Sequence, residues 1–299
     1  MGAKGILQGR QKGLFVENFI ETKNLSFRYS DQDKDLILDN ISLGIKQGEF
    51  VCILGRNGSG KSTLVKTFNS LLLPSEGKVY VNGMDTADEK HNFEIHKQVG
   101  LILQNPDNQI VSSIVEEDVA FGPENLGLAP AEIKYRVERA LNIVGLESFS
   151  QNITHKLSGG QKQKLAIAEV LAMEPQCIIL DEPTSMLDSF SQVEILKILK
   201  KINKKYKITV ILVTHSTREA MFADRAIVME KGRIAVDTKP VDVFSDIDLL
   251  NKFNLHIPQG IKLLLELNKK GVSLHLSDLS VDGCVASIEK FLEDKNAVN

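Results

Sequence analysis

The sequence predicts an α/β protein whose core is a mainly parallel β-sheet. Short apolar segments with strand character alternate with amphipathic segments of helical period along much of the chain. A glycine-rich segment at residues 55–62 joins one apolar strand to one helix, and a block of helical period at residues 106–173 separates two groups of strands. Strands that alternate with helices form a largely parallel sheet that is covered on both faces.

Length and composition are those of an ordinary globular protein. The 299 residues suffice for a core of about 200–250 residues and an appendage. Hydrophobic residues make up 42% and charged residues 25% of the chain, and the net charge is −3, so no global field attracts nucleic acid. No apolar run approaches the roughly 18 residues of a membrane span, so we expect membrane association only through a partner.

The three cysteines lack the spacing of a metal site or of a disulfide framework. Cys52 and Cys177 lie in apolar, strand-like runs, which predicts buried, unreactive thiols in a reducing compartment. The histidines other than His215 show no metal-ligand spacing either.

The elements before the helical block are mostly strands. Residues 1–18 are weakly patterned, and we expect a flexible leader there. Strand patterns follow at residues 23–29, 36–46, 49–54, 78–82 and 99–103. Residues 61–73 place apolar side chains at helical spacing, and Pro74 is expected to end this helix.

Strand and helix patterns alternate again after the helical block. Strands are predicted at residues 176–180, 208–213, 226–229 and 233–236. Residues 192–206 form an amphipathic helix with a solvated lysine face, for which contact with nucleic acid or lipid is the alternative. From Pro240 the alternation stops, which predicts a small, mainly helical appendage at residues 240–299. It carries one apolar stripe, formed by Val281, Val285, Ile288 and Leu292.

The phosphate-loop pattern G-x-x-x-x-G-K-[ST] is matched by Gly55-Arg56-Asn57-Gly58-Ser59-Gly60-Lys61-Ser62. Its glycines let backbone N–H groups approach a phosphate closely, and the N-terminus of the next helix adds the positive end of its dipole. Lys61 is placed to reach the β- and γ-phosphates, and Ser62 to put its hydroxyl on Mg²⁺. The pattern predicts a nucleotide site that continues to Thr63; a glycine-rich turn with a surface lysine is the alternative.

Two carboxylates follow the apolar strand at residues 177–180. Asp181 is placed to hold Mg²⁺ through water. Glu182 is the candidate general base that orients the attacking water, because adjacent carboxylates beside a phosphate tend to split between the metal and the nucleophile. On their own they would be a common strand-to-turn sequence, and the phosphate loop favours the catalytic interpretation.

A third motif, the signature segment, is Leu157-Ser158-Gly159-Gly160-Gln161. In this order the three motifs resemble those of ATP-binding cassette (ABC) ATPases. The resemblance implies a phosphate-loop core with an antiparallel β subdomain and an inserted helical subdomain at about residues 106–173. It also implies a dimer in which Ser158, Gly159, Gly160 and Gln161 of one subunit close over the ATP held by the other.

Four further residues take a role from this resemblance. Gln104 would sense Mg²⁺ and water and link the two subdomains, and His215 would contact the γ-phosphate. Asp188 matches the loop that meets the opposite subunit, and Tyr29 matches the aromatic residue that stacks on adenine. By themselves, Gln104 and His215 would be polar loop residues, and Tyr29 an exposed aromatic near a strand end.

One group of these ATPases is resembled more specifically, that of energy-coupling factor (ECF) transporters. The segment Gln104-Asn105-Pro106-Asp107-Asn108-Gln109 is similar to their Q-N-P-D-x-Q segment, and residues 157–168 and 244–258 are similar as well. This resemblance covers about residues 20–299. It implies ATP hydrolysis with Mg²⁺ that energises the uptake of vitamins or transition-metal ions.

The ECF resemblance also implies partners and a location. The partners are a second, paralogous ABC ATPase, a membrane scaffold (T) subunit and a substrate-binding membrane (S) subunit, with no nucleic acid, at the cytoplasmic face of a prokaryotic cell membrane. Met186 stands where the other paralogue typically has Gly, which favours a heterodimer over a homodimer. The implied division is a leader at residues 1–18, an ABC ATPase domain at residues 19–239 and a dimerisation appendage at residues 240–299.

Some positions depart from the group's usual pattern, and other functions stay open. Lys164, Glu169, Ser189 and the long leader are the departures, and none is a predicted catalytic group. The alternatives are the ATPase of an ordinary ABC importer, a non-transport cassette ATPase of translation or DNA repair, and a regulator that does not hydrolyse ATP. The ECF-like segment argues against the first, the single cassette without a long insertion against the second, and Glu182 with His215 against the third.

Overall fold

The computed structural model describes residues 18–30, 32, 35–274 and 281–296. The predicted leader lies outside these residues, apart from Asn18. The strands are β1 (Ile20–Phe27), β2 (Leu38–Ile45), β3 (Phe50–Gly55), β4 (Glu76–Val81), β5 (Met84–Asp85), β6 (Val99–Ile102), β7 (Cys177–Asp181), β8 (Thr209–Thr214), β9 (Arg225–Glu230) and β10 (Arg233–Thr238). The helices are α1 (Lys61–Thr67), α2 (Asn92–Gln98), α3 (Val115–Asn125), α4 (Pro130–Val144), α5 (Gly159–Ala172), α6 (Ser189–Tyr206), α7 (Thr217–Ala220), α8 (Pro240–Ser245), α9 (Ile247–Lys252), α10 (Gln259–Lys269) and α11 (Val281–Asn296).

The core sheet is mainly parallel, as predicted. Its strand order is β10-β9-β3-β8-β7-β6, and only β10 pairs antiparallel within it. All residues of β3, β7 and β8 are buried, because neighbours cover both faces of these strands. Cys52 and Cys177 are among them, which confirms that they are buried. The carboxyl ends of β3, β6, β7 and β8 meet at one edge of the sheet, where the predicted catalytic residues follow.

A second, antiparallel sheet covers one face of the core sheet. Its strand order is β2-β1-β4-β5, and its pairings are all antiparallel. Alternate core-strand residues such as Val51 and Ile53 share one apolar cluster with this sheet and with α1. Their neighbours Cys52 and Leu54 belong to a separate cluster on the opposite face. The antiparallel β subdomain that the ABC resemblance implied is therefore confirmed.

The block between β6 and β7 is helical and carries the signature segment. Helices α3, α4 and α5 pack against one another through buried aliphatic residues such as Leu141 and Leu165. Helix α5 begins with a capping box, in which Ser158 Oγ accepts from Gln161 N–H and Gln161 Oε1 accepts from Ser158 N–H. This arrangement confirms the predicted inserted helical subdomain.

Two predicted helix boundaries are wrong for local reasons. Helix α1 ends at Thr67, well before Pro74, because Ser70 adopts a φ of 56°, which no α-helix accommodates. Helix α6 begins at Ser189, because the Asp188 carboxylate caps it by accepting the N–H groups of Phe190 and Ser191. The lysine face of α6 partly serves its own chain, since Lys200 and Lys204 pair with Asp224.

The C-terminal appendage is helical, and its first part packs on the core. Phe244 and Ile261 are fully buried in the apolar cluster that also contains Leu54 of β3. The predicted stripe of α11 is only partly inward, because Ile288 packs toward α10 while Val285 and Leu292 are 46% and 52% exposed. Within the described residues, no helix is both long and apolar enough to cross a membrane.

Candidate functional site

The phosphate loop runs from the end of β3 to the start of α1. Gly60 caps α1 with a φ of 97°, and a Cβ on it would lie 2.8 Å from the Ile37 carbonyl oxygen, so only glycine fits. No side chain caps this helix end. Its first N–H groups therefore have no side-chain partner and are available to a phosphate.

Lys61 lies under the loop and is only 5% exposed. Its Nζ donates to the carbonyl oxygens of Gly55 at 2.9 Å and Arg56 at 3.1 Å. Burial lowers the pKa of Lys61, and the nearby carboxylates of Glu182 and Asp181 oppose this effect. A phosphate bound here would favour the charged form of the Lys61 ammonium group. Lys61 would then be a cation held at a fixed position beneath the loop.

Ser62 and Asp181 form an oxygen-rich corner beside Lys61. Ser62 Oγ donates to Asp181 Oδ1 at 2.9 Å, across the junction between α1 and β7. Burial raises the pKa of Asp181, and the Ser62 hydrogen bond opposes the shift. Hydroxyl and carboxylate oxygens, with the Gln104 amide nearby, are hard ligands of the kind that Mg²⁺ prefers. The donor set therefore fits Mg²⁺.

Glu182 lies where the loops after three strands meet. Its Oε1 is 3.4 Å from His215 Nδ1, and its Oε2 is 3.4 Å from Gln104 Nε2. The backbone of Glu182 has a φ of 48°, which is uncommon for a residue with a side chain and occurs at sites under functional constraint. The structure thus brings together the three residues that were predicted from separate parts of the sequence.

A cavity of about 420 Å³ lies over the phosphate loop. Its lining includes Lys61, Ser62, Gln104 and Glu182. Tyr29 stands at the cavity with a 61% exposed side chain, and its hydroxyl lies 3.1 Å from Thr63 Oγ1. The ring packs edge-on against Phe27, with the centroids 5.0 Å apart. An exposed aromatic ring beside a phosphate cavity can stack on a planar base.

The signature segment does not reach this cavity within the chain. None of the residues 158–161, all of which the structure describes, is among the residues that line it. Gly160 packs so closely on α6 that a Cβ would lie 2.9 Å from Ser191 Oγ. Asp188 is also engaged locally: its hydrogen bonds from Ser191 and Phe190 hold its pKa below the usual range.

Comparison with known proteins identifies the family. Residues 38–185 match the ABC transporter family. The energy-coupling factor transporter ATP-binding protein EcfA1 of Clostridium novyi (strain NT) is 49% identical over 274 residues, which cover 91% of this chain and 98% of that protein. The chain belongs to the ATP-binding proteins of ECF transporters.

Solved structures of cassette ATPases agree with this assignment. The cbiO1 protein of Clostridium perfringens, described as part of the ABC transporter complex cbiONQ, has a TM-score of 0.74 and 38% identity, and the match covers 83% of this chain and 99% of that chain. The ATP-binding cassette MJ0796, solved as a dimer with ADP and Pi, has a TM-score of 0.67 and 33% identity, with 74% and 98% covered. As an ECF-type ATPase, the chain binds ATP and couples its hydrolysis to transport.

Some residues around the site of this ECF-type ATPase escaped sequence reasoning. Ile37 lines the cavity, although an apolar residue before a strand carries no chemical signal. Asp107 was predicted as part of the ECF-like segment, but its ion pair with Lys162 at 2.7 Å was not, and this pair joins the segment to α5 directly after the signature segment. The opposite charges of Asp107 and Lys162 are visible in the sequence. That the two side chains meet depends on the packing of the helical subdomain, which the sequence alone does not reveal.

Proposed function

We propose that this chain hydrolyses ATP at a site that a second cassette subunit completes, and that hydrolysis energises the uptake of vitamins or transition-metal ions. One observation carries the proposal. Glu182, Gln104 and His215 meet beside the cavity of Lys61, whereas the signature segment of the same chain lies outside that cavity. A complete site therefore needs Ser158, Gly159, Gly160 and Gln161 from another subunit.

The residues of the cavity divide the work of phosphoryl transfer, which depends mostly on positioning and charge neutralisation. The N–H groups of the phosphate loop and Lys61 hold the phosphates, and Tyr29 stacks on the base. Ser62, Asp181 and Gln104 would hold Mg²⁺, which neutralises phosphate charge when bound. Glu182 orients the attacking water and accepts its proton, and His215 contacts the γ-phosphate.

The proposed partner in the dimer is a second, paralogous cassette. Met186 is 70% exposed in the loop that ends at Asp188, at a position suited to a facing subunit. Residues 19–239 form the proposed ATPase domain and residues 240–299 the proposed dimerisation appendage. The exposed Val285 and Leu292 of α11 offer apolar surface to the partner's matching helix.

The proposed membrane partners are a scaffold (T) subunit and a substrate-binding (S) subunit, which place the chain at the cytoplasmic face of a prokaryotic cell membrane. The ECF-like segment, residues 104–109, supports this coupling role because it joins Gln104 of the site to the helical subdomain. Gln109 Oε1 accepts from Leu103 N–H at 2.8 Å, and Asp107 pairs with Lys162. Closure of the site would thus move the surface that a scaffold helix contacts.

The test replaces Glu182 in the transporter assembled with its membrane subunits. Glu182→Gln should keep ATP binding but reduce hydrolysis by about 10²–10⁴-fold, the usual cost of losing a general base. Lys61→Ala is the contrasting variant, and it should weaken ATP binding itself because it removes the cation beneath the phosphates. Near-wild-type hydrolysis by Glu182→Gln, measured as steady-state phosphate release, would contradict the proposal.

A further inference from the structure

Glu219 is a buried carboxyl group behind the catalytic loops, on the short helix α7. It is only 5% exposed, although its neighbour Arg218 is exposed. Thr184 Oγ1 donates to Glu219 Oε1 at 2.5 Å. The other carboxylate oxygen, Oε2, is buried and has no hydrogen-bond partner among the described residues. The sequence predicts no role for Glu219. Buried glutamates are rare unless they are paired.

Thr184 and Glu219 belong to the two segments that carry Glu182 and His215. Thr184 lies two residues after Glu182 and is 1% exposed, and Glu219 lies four residues after His215, on α7. Gln192 Nε2 donates to the Thr184 carbonyl oxygen at 3.1 Å, so this loop is also held from α6. The hydrogen bond between Thr184 and Glu219 thus links the loop after β7 to the helix that follows β8.

Helix α7 is itself held in place from the other side. Thr217 Oγ1 donates to the carbonyl oxygen of His256, in the segment between α9 and α10, at 2.5 Å. Ala220 is fully buried in the main apolar cluster. The backbone that carries Glu219 is therefore held in place. A side chain can position other residues only if its own backbone is fixed.

The charges around Glu219 are those of the catalytic groups. Burial raises the pKa of Glu219, the hydrogen bond from Thr184 and the charge of His215 oppose the shift, and Glu182 adds to it. The carboxyl group therefore keeps its proton to a higher pH than an exposed glutamate. When protonated it can still accept from Thr184 through one oxygen while the other oxygen carries the proton.

We propose that Glu219 is a positioning residue for ATP hydrolysis, which joins Thr184 to α7, the helix directly after His215, and so holds Glu182 against His215. The 3.4 Å separation of Glu182 Oε1 and His215 Nδ1 depends on both loops. The inference rests on the proposed roles of Glu182 and His215. Misplacing a catalytic group by about 1 Å can cost up to about 10²-fold in rate.

The test compares three substitutions of Glu219 in the assembled transporter. Glu219→Ala should reduce kcat by about 10–100-fold and leave the KM for ATP nearly unchanged, because Glu219 contacts neither the phosphate loop nor Tyr29. Glu219→Gln should restore most of kcat, since its amide oxygen can still accept from Thr184. Glu219→Asp keeps the carboxyl group but is one methylene shorter, so it should fold well and yet lose kcat.

Glu49→Ala is the matched control for a general loss of stability. Glu49 is half-buried at the start of β3, at the opposite end of the core sheet, where it pairs with Arg225 and accepts from Lys46 N–H. Its loss should lower the thermal midpoint but not kcat. Wild-type kcat in Glu219→Asp, or a kcat in Glu219→Ala no lower than in Glu49→Ala, would overturn the inference. Wild-type turnover in Glu182→Gln would instead refute the proposed general base.

Discussion

Burial governs the ionisation of single carboxyl groups in this molecule. It is the largest cause of the raised pKa values of Asp181, Glu219 and Glu169. At Asp181 burial places a carboxylate beside Ser62 of the phosphate loop, where a divalent cation would offset the cost of burial. Glu169 lies in the helical subdomain, and its burial makes the stability of the fold depend on pH.

Glu169 is the residue that departs from the usual small side chain in α5. Burial, with the carboxyl group of Asp118 in α3 nearby, raises its pKa to about 9 from an ordinary value of 4.5. Asp118 Oδ1 in turn accepts the N–H groups of Val111 and Ser112. Between the two pKa values the folded chain holds a proton that the unfolded chain has released. The free energy of unfolding therefore falls as the pH rises through this range.

Glu169→Gln should consequently stabilise the protein more at pH 8 than at pH 5, because the amide never ionises. The measurement is the thermal midpoint of both proteins at the two pH values. Glu138→Gln, on the exposed face of α4, is the control and should show no such trend. An equal gain at both pH values, or a larger gain at pH 5, would contradict the raised pKa.

Residues of the site differ in how far the sequence reveals them. Lys61, Ser62, Asp181 and Glu182 were predictable because local patterns, a glycine-rich loop and a strand end, fix their positions. Glu219 was not, because its contact with Thr184 spans 35 residues of sequence and depends on how α7 packs. Its neighbours in the sequence, the exposed Arg218 and the small Ala220, carried no signal that Glu219 would be buried.

Helices and strands were predicted from local sequence patterns, but some of their boundaries depend on tertiary structure. The strands of the core sheet were predicted because burial on both faces requires continuous apolar runs. The end of α1 was not, because apolar residues continue at helical spacing beyond Ser70, where the backbone leaves the helix. The predicted inward face of α11 was also displaced by one position, because Cys284 rather than Val285 packs toward α10 together with Ile288. Which face turns inward depends on tertiary contacts.

The segment between Gln104 and α3 gives a prediction about coupling. Replacing Asp107 and Gln109 by Ala should reduce uptake more than hydrolysis, because the pair joins the site to the helical subdomain without touching the phosphates. Uptake and ATP hydrolysis should be measured on the same reconstituted transporter. Asp107→Ala and Lys162→Ala should be strongly non-additive for uptake, since each breaks the same ion pair. A proportional fall in both activities would refute the coupling role.

The exposed face of α11 gives a prediction about assembly. Replacing Val285 and Leu292 by Glu should weaken the nucleotide-free dimer without unfolding the appendage, because both side chains are exposed in the single chain. Lys290→Glu, also exposed, is the control for added negative charge. Sedimentation or size-exclusion with mass determination reports the dimer. An unchanged dimer would mean that α11 serves only its own chain.

The whole molecule consists of subdomains whose functional surfaces are separated within one chain. The core sheet and the antiparallel sheet frame the phosphate cavity, and the inserted helices carry the signature segment on a capped helix start outside it. One chain therefore carries both a phosphate loop and a signature segment, but on separate surfaces. In the proposed dimer, association of two cassettes would bring a phosphate loop and a signature segment onto one ATP.

The most direct test measures ATP turnover per chain together with molecular mass in the same sample. The chain is examined alone at increasing concentration and after co-expression with the second cassette. The monomer should bind ATP but be nearly inactive, and turnover should rise with the dimer fraction and be highest with the paralogue. A confirmed monomer that hydrolyses ATP as fast as the assembled pair would contradict the shared site.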